Sequence, residues 1–129
     1  MKKIIIAALI GLMIVKPQPI KANEIIVHKC QATGYSLTGI AADGSVITKE
    51  SNNVAASKRE WIGSTMIVYL DDGDGIIKAE NYIATYEIRD TGGEKIRNGT
   101  VVDLHFSGYE TAKKFGRKDV IVQIIRSEG

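Results

Sequence analysis

The sequence predicts an all-β fold, a closed barrel or a sandwich, with one short helix. Three observations carry that expectation. Five runs rich in β-branched and aromatic residues recur along the chain: Ile25-Ile26-Val27, Met66 to Leu70, Ile83 to Ile88, Val101 to Phe106 and Val120 to Ile125. Glycine- or asparagine-rich turns separate them at short spacing. Stretches with helical periodicity are scarce, and only one has both a start and a stop signal.

The N-terminus stands apart from this pattern. Met1-Lys2-Lys3 is basic, Ile4 to Val15 is an uncharged apolar run, and Lys16, two prolines and Ile20-Lys21-Ala22 follow. This is the layout of a secretory signal, and the run is short for a membrane span. Residues 1–22 are therefore expected to be a signal peptide and residues 23–129 the domain, exported to the cell wall or beyond. Left uncleaved, the segment would act as a membrane tether. It holds four lysines and no acid, so its removal takes the formal net charge from +2 to −2. The domain then has no basic surplus for phosphates, and nucleic acid is not an expected partner.

Within the domain each element has its own signal. Cys30 is the only cysteine. No internal disulfide is possible, and in a β-run it is expected to be a small core residue rather than a nucleophile. Thr38 to Asn53 is polar and reads as a long loop, a common home for function. Trp61, the one tryptophan, should pack in the core beside Ile62. Asp71-Asp72-Gly73-Asp74-Gly75 reads as a hairpin turn. It is not an EF-hand, because the spacing would put Leu70 and Asn81 at the terminal ligand positions. Ser107-Gly108-Tyr109-Glu110 is a capping box opening a helix. Ala112 and Phe115 give that helix an apolar side, Lys113 and Lys114 suit its C-terminal end, and Gly116 stops it. No internal repeat is visible.

The chemistry-bearing residues follow from strand alternation. In Val101 to Phe106, Val102, Leu104 and Phe106 share a core-facing side, so Asp103 and His105 fall together on the other. Asp90 lies in Asp90-Thr91-Gly92-Gly93, whose glycines would permit unusual dihedrals and close ligand approach. A cleft with Asp103 at its floor, Asp90 at its rim and His105 nearby is one reading. A solvated face with an ordinary turn aspartate is the other. No cofactor or metal is expected: the two histidines are far apart in sequence and there is no cysteine pair.

From Gln31 to Ile125 the chain resembles the three-aspartate (3D) domain of secreted wall-active proteins, a family that includes stationary-phase-survival proteins and membrane-bound lytic transglycosylase A. The resemblance rests on Ala32-Thr33-Gly34-Tyr35, Asn53-Val54-Ala55-Ala56, Ile62-Gly63-Ser64, Arg89-Asp90-Thr91-Gly92-Gly93, Val102-Asp103-Leu104-His105-Phe106, and Ala112 with Phe115-Gly116-Arg117. It implies a six-stranded double-psi β-barrel. Asp90 and Asp103 match the second and third family aspartates. The first is replaced by Ser57, with Lys58 in place of the following proline. The stretch between Asp90 and Asp103 is longer than usual and carries the charged Glu94-Lys95-Ile96-Arg97.

The resemblance further implies a lytic transglycosylase acting on peptidoglycan glycan strands. There the muramyl C6 hydroxyl attacks its own C1, and the protein need supply only one carboxyl group as acid and then base. Asp103 is the candidate for that role, protonated through desolvation or a neighbouring charge. Asp90 would raise its proton affinity or bind sugar hydroxyls. Thr33, Tyr35, Ser57, Gly92, Gly93 and His105 would line the substrate cleft. Two alternatives remain open at this level: a hydrolase using both aspartates, and a barrel that binds wall glycan without cutting it.

Overall fold

The computed structural model describes residues 24–126, so the expected signal segment lies outside it. Eight strands and two helices follow one another: β1 (Glu24–Tyr35), β2 (Gly39–Ile40), β3 (Val46–Ile47), β4 (Val54–Ala56), β5 (Thr65–Leu70), β6 (Tyr82–Asp90), α1 (Glu94–Arg97), β7 (Val101–His105), α2 (Tyr109–Phe115) and β8 (Arg117–Arg126). Among the described residues no helix is long and apolar enough to cross a membrane.

Six strands close into a barrel in the order β1-β7-β4-β6-β5-β8. Two pairs are parallel, β1 with β7 and β4 with β6. The other four are antiparallel. This order has an internal two-fold symmetry. Exchanging the halves β1-β4-β5 and β6-β7-β8 maps the ring onto itself and carries one parallel pair onto the other. Two interlocked three-strand units of this kind are what a double-psi barrel requires. Closure also removes free sheet edges.

The core is built by alternation. Ala32, Ala55, Met66, Val68, Tyr86, Ile88, Val102, Leu104, Val120, Val122 and Ile124 meet inside the barrel, with Trp61 among them as expected. Cys30 packs against this cluster, and burial pushes its thiol up to about 12. A free cysteine so placed is an inert core residue. A second, smaller cluster of Ala41, Ile47 and Val54 lies beneath the β2–β3 hairpin.

Several elements differ from the sequence expectation. The run seen at Ile25–Val27 is the start of a twelve-residue strand, because β1 pairs with β8 along most of its length and with β7 at its end. β4 has no β-branched pattern beyond Val54, yet all three of its residues are buried between β6 and β7. The supposed loop 38–53 contains the β2–β3 hairpin. The connection after Asp71 runs to Asn81 rather than turning at once. Lys78 bonds Asp72 (2.8 Å) and Asp74 (2.5 Å) across it, and Asp71 accepts from the Gly73 and Gly75 amides. The capping box does not form. Gly108, with φ +98°, caps α2, and its N–H donates to Ser36 Oγ at 3.2 Å. The helix is thereby tied to the end of β1 instead of to its own first turn.

Candidate functional site

Ala32 and Val102 point into the barrel, so Thr33 and Asp103 point out of it. Cross-strand register then lines up five residues in one row over the outer face. Thr33 is the partner of Arg117 on one side and of Asp103 on the other. Asp103 pairs with Ala56, and Ala56 with Asp90. The row Arg117–Thr33–Asp103–Ala56–Asp90 crosses β8, β1, β7, β4 and β6. At the usual interstrand spacing, Asp103 stands about 10 Å from both Asp90 and Arg117 at the backbone.

Asp90 joins this row through a β-bulge. Ala55 pairs with Ile88 but Ala56 with Asp90, which leaves Arg89 as an extra residue on β6. Strict alternation would put Asp90 on the same face as buried Ile88, inside the barrel. The bulge re-aims it outward beside Asp103. Its Oδ1 accepts the amides of Ala42 and Thr91, both at 3.0 Å. Asp90 therefore anchors the covering loop as well as facing the groove.

Asp103 is half-buried and accepts a 2.8 Å hydrogen bond from the Thr33 hydroxyl. Burial raises its carboxyl above the ordinary range, while the Thr33 bond, His105 and Arg117 pull it back in part. The expected contribution of Asp90 is not among these causes: desolvation, not a like charge, raises the Asp103 carboxyl. Tyr35, next outward along β1, has its hydroxyl pushed well above its usual value by burial and then by the charges of Asp90 and Asp103. It remains a hydrogen-bond donor at any physiological pH.

Three side-chain hydroxyls here, on Tyr35, Ser57 and Thr91, are buried and make no hydrogen bond within the protein. Ser57 is wholly buried, and its amide donates to the Asp90 carbonyl at 3.1 Å. Such groups cost about 1–3 kcal/mol each when unpaired, so a ligand that reached them would recover that energy.

The remaining site residues part company. His105 shares the outer face with Asp103, as expected, but is only 1% exposed. Its Nδ1 bonds the Ser51 carbonyl at 2.5 Å, its Nε2 lies 2.8 Å from the Leu37 carbonyl, and its ring packs edge-on to Tyr35. It pins the covering loop and does not line the groove. Neither Gly92 nor Gly93 takes a left-handed φ. Gly92 leaves room for Ile96, and Gly93 begins α1 in an extended conformation. The motif thus encodes a compact turn, and of the two glycines only Gly93 lines a cleft.

Two clefts lie along the row, and Asp103 borders them through its neighbours rather than lining either. One, about 380 Å³, lies on the Thr33 side between α1 and Arg117. The other, about 170 Å³, is lined by Tyr35, the 37–40 segment, Ile47 and Asp90. Arg117 was given no site role by the sequence, since its place in the row depends on antiparallel pairing between distant strands. Among the described residues one carboxylate cluster could hold a metal ion, Asp71, Asp72 and Asp74, and Lys78 already bonds two of its members.

The architecture defines a closed six-stranded β-barrel with Asp103 and Asp90 in one cross-strand row on its outer face. In fold the chain is similar to the Streptomyces papain inhibitor, with a TM-score of 0.53 and 18% identity over 84% of this chain and 100% of that one. No family model matches the chain, and no curated protein matches it.

Proposed function

We propose that this is an exported wall-glycan-cleaving protein, a lytic transglycosylase in which Asp103 is the acid and base. The observation that carries the reading is the state of Asp103: half-buried on the outer face, with its carboxyl raised by desolvation and oriented by Thr33. In the first step the Asp103 proton passes to the glycosidic oxygen as its bond to C1 breaks. The muramyl C6 oxygen then bonds to C1, and its proton returns to Asp103. The protein is left unchanged, and the product carries a 1,6-anhydro ring. One carboxyl group suffices, so the serine at position 57 does not remove the chemistry. Thr33 and Tyr35, which line the two clefts, meet the sugar, whereas Ser57 is wholly buried and does not.

The test is mass spectrometry of purified peptidoglycan incubated with the protein and with Asp103→Asn. Anhydro-muramyl ends from the parent alone are expected, with a loss of at least about 100-fold in the variant. Reducing-end products would make the protein a hydrolase. Intact sacculi that carry the protein down with them would leave a glycan-binding barrel.

A second reading is inhibition of a papain-type protease, after the activity in the name of the structurally similar protein. It is favoured by the rim of the smaller cleft, where Leu37, Ile40 and Val46 are 66%, 71% and 64% exposed. Titration of papain with the protein decides it; undiminished protease activity at excess protein rejects it.

A further inference from the structure

Resting on the glycan reading, we propose that the larger cleft is an anion subsite that takes the free lactyl carboxylate of a muramyl residue bearing no stem peptide. The cleft lies against Thr33, whose hydroxyl orients Asp103, so its occupant sits beside the acid. Lys95 and Arg117 contribute two cations to its lining and Glu94 one anion. Among the described residues, none of the three forms an ion pair.

Arg117 is pre-positioned rather than free-swinging. Its Nη1 donates to Gln31 Oε1 at 2.8 Å, and Gln31 Nε2 donates in turn to Asp119 Oδ1 at 3.1 Å. The rest of the guanidinium fork is left for a carboxylate, the partner its planar geometry matches. Ile96 and Val101 give the same cleft an apolar wall. A lactyl group carries a methyl and a carboxylate on one carbon, which is what an apolar wall facing a guanidinium accommodates. The subsite also acts on the acid. Arg117 is one of the groups that pull the Asp103 carboxyl down. A substrate carboxylate that pairs with Arg117 weakens that pull and favours protonated Asp103 in the complex.

The experiment compares two oligosaccharides of equal length by calorimetric titration. One is a peptide-free glycan with alternating muramyl residues and free lactyl carboxylates; the other is chitooligosaccharide, which has no lactyl arm. The parent protein is expected to prefer the muramyl glycan by about tenfold, or about 1.4 kcal/mol. Arg117→Gln is expected to abolish that preference. Lys95→Gln should reduce the preference in part, and Lys118→Gln, outside the cleft lining, should leave it intact. Equal affinity for both sugars in the parent, or a preference that survives Arg117→Gln, overturns the subsite alone. Failure to bind either sugar overturns the glycan reading together with it.

Discussion

Gly34 sits in the Ala32-Thr33-Gly34-Tyr35 motif, yet its reason for being glycine is packing against α2. A Cβ at this position would lie 2.8 Å from the Ala112 carbonyl oxygen and 3.0 Å from the Phe106 ring. The carbonyl belongs to the helix backbone, so no rotamer change relieves the contact; α2 must move away from β1. Overpacking of this kind costs about 1–3 kcal/mol. For a domain of about 100 residues, the unfolding entropy converts 2 kcal/mol into a fall in Tm of about 9 °C. Gly93→Ala is the matched control, because a Cβ there meets nothing within 4 Å and the backbone φ is −67°. Thermal and urea unfolding of both variants give the comparison, with glycan cleavage measured well below Tm. Gly34→Ala should be markedly less stable and, while folded, should retain most of its activity. A Gly34→Ala protein within 0.5 kcal/mol of the parent would refute the packing argument and return the residue to a functional role.

Asp103 holds its proton more tightly in the native state than when unfolded, since burial raises its folded carboxyl above the ordinary value. The native state therefore binds more protons between those two values, and stability falls as pH rises through that window. Asp103→Asn, which resembles the protonated form, should gain stability over the parent as pH rises into the neutral range; a constant difference in Tm from acid to neutral pH would contradict this. Cleavage by the parent should fall along the same limb, as the acid is lost. His105→Ala removes a buried ring held between the Ser51 carbonyl and the Leu37 backbone. A loss of about 3 kcal/mol is expected, with faster amide exchange across residues 36–53; unchanged exchange there would show the loop is held by other contacts. Cys30, with its thiol pushed up to about 12, should resist alkylation at pH 8 until the protein is unfolded. Rapid labelling of the folded chain would place the thiol at the surface.

Elements whose signals are local were legible before any fold was known. β5, β6, β7 and β8 follow from β-branched runs whose alternation sorts the core from the outer face. The same alternation puts Asp103 opposite Val102 and Leu104 without knowledge of any partner strand. Phe115 and Gly116 end α2 where they should, and Trp61 goes inside because its size demands it. Other features depend on contacts between distant residues and take shape only in the folded barrel. β4 is three residues long and mostly alanine; it is a strand only because β6 and β7 enclose it. The start of α2 moves by one residue because Ser36 takes the amide of Gly108. Asp90 reaches the outer face only because Arg89 bulges out of the β4–β6 pairing. The burial of His105 was likewise hidden, since alternation gives a side chain's direction but not what folds over it. Arg117 enters the site because closure of the barrel sets β8 beside β1. Alternation is a property of one strand, whereas register, bulges and closure belong to pairs of strands, and so the row of groups around Asp103 exists only once the barrel is closed.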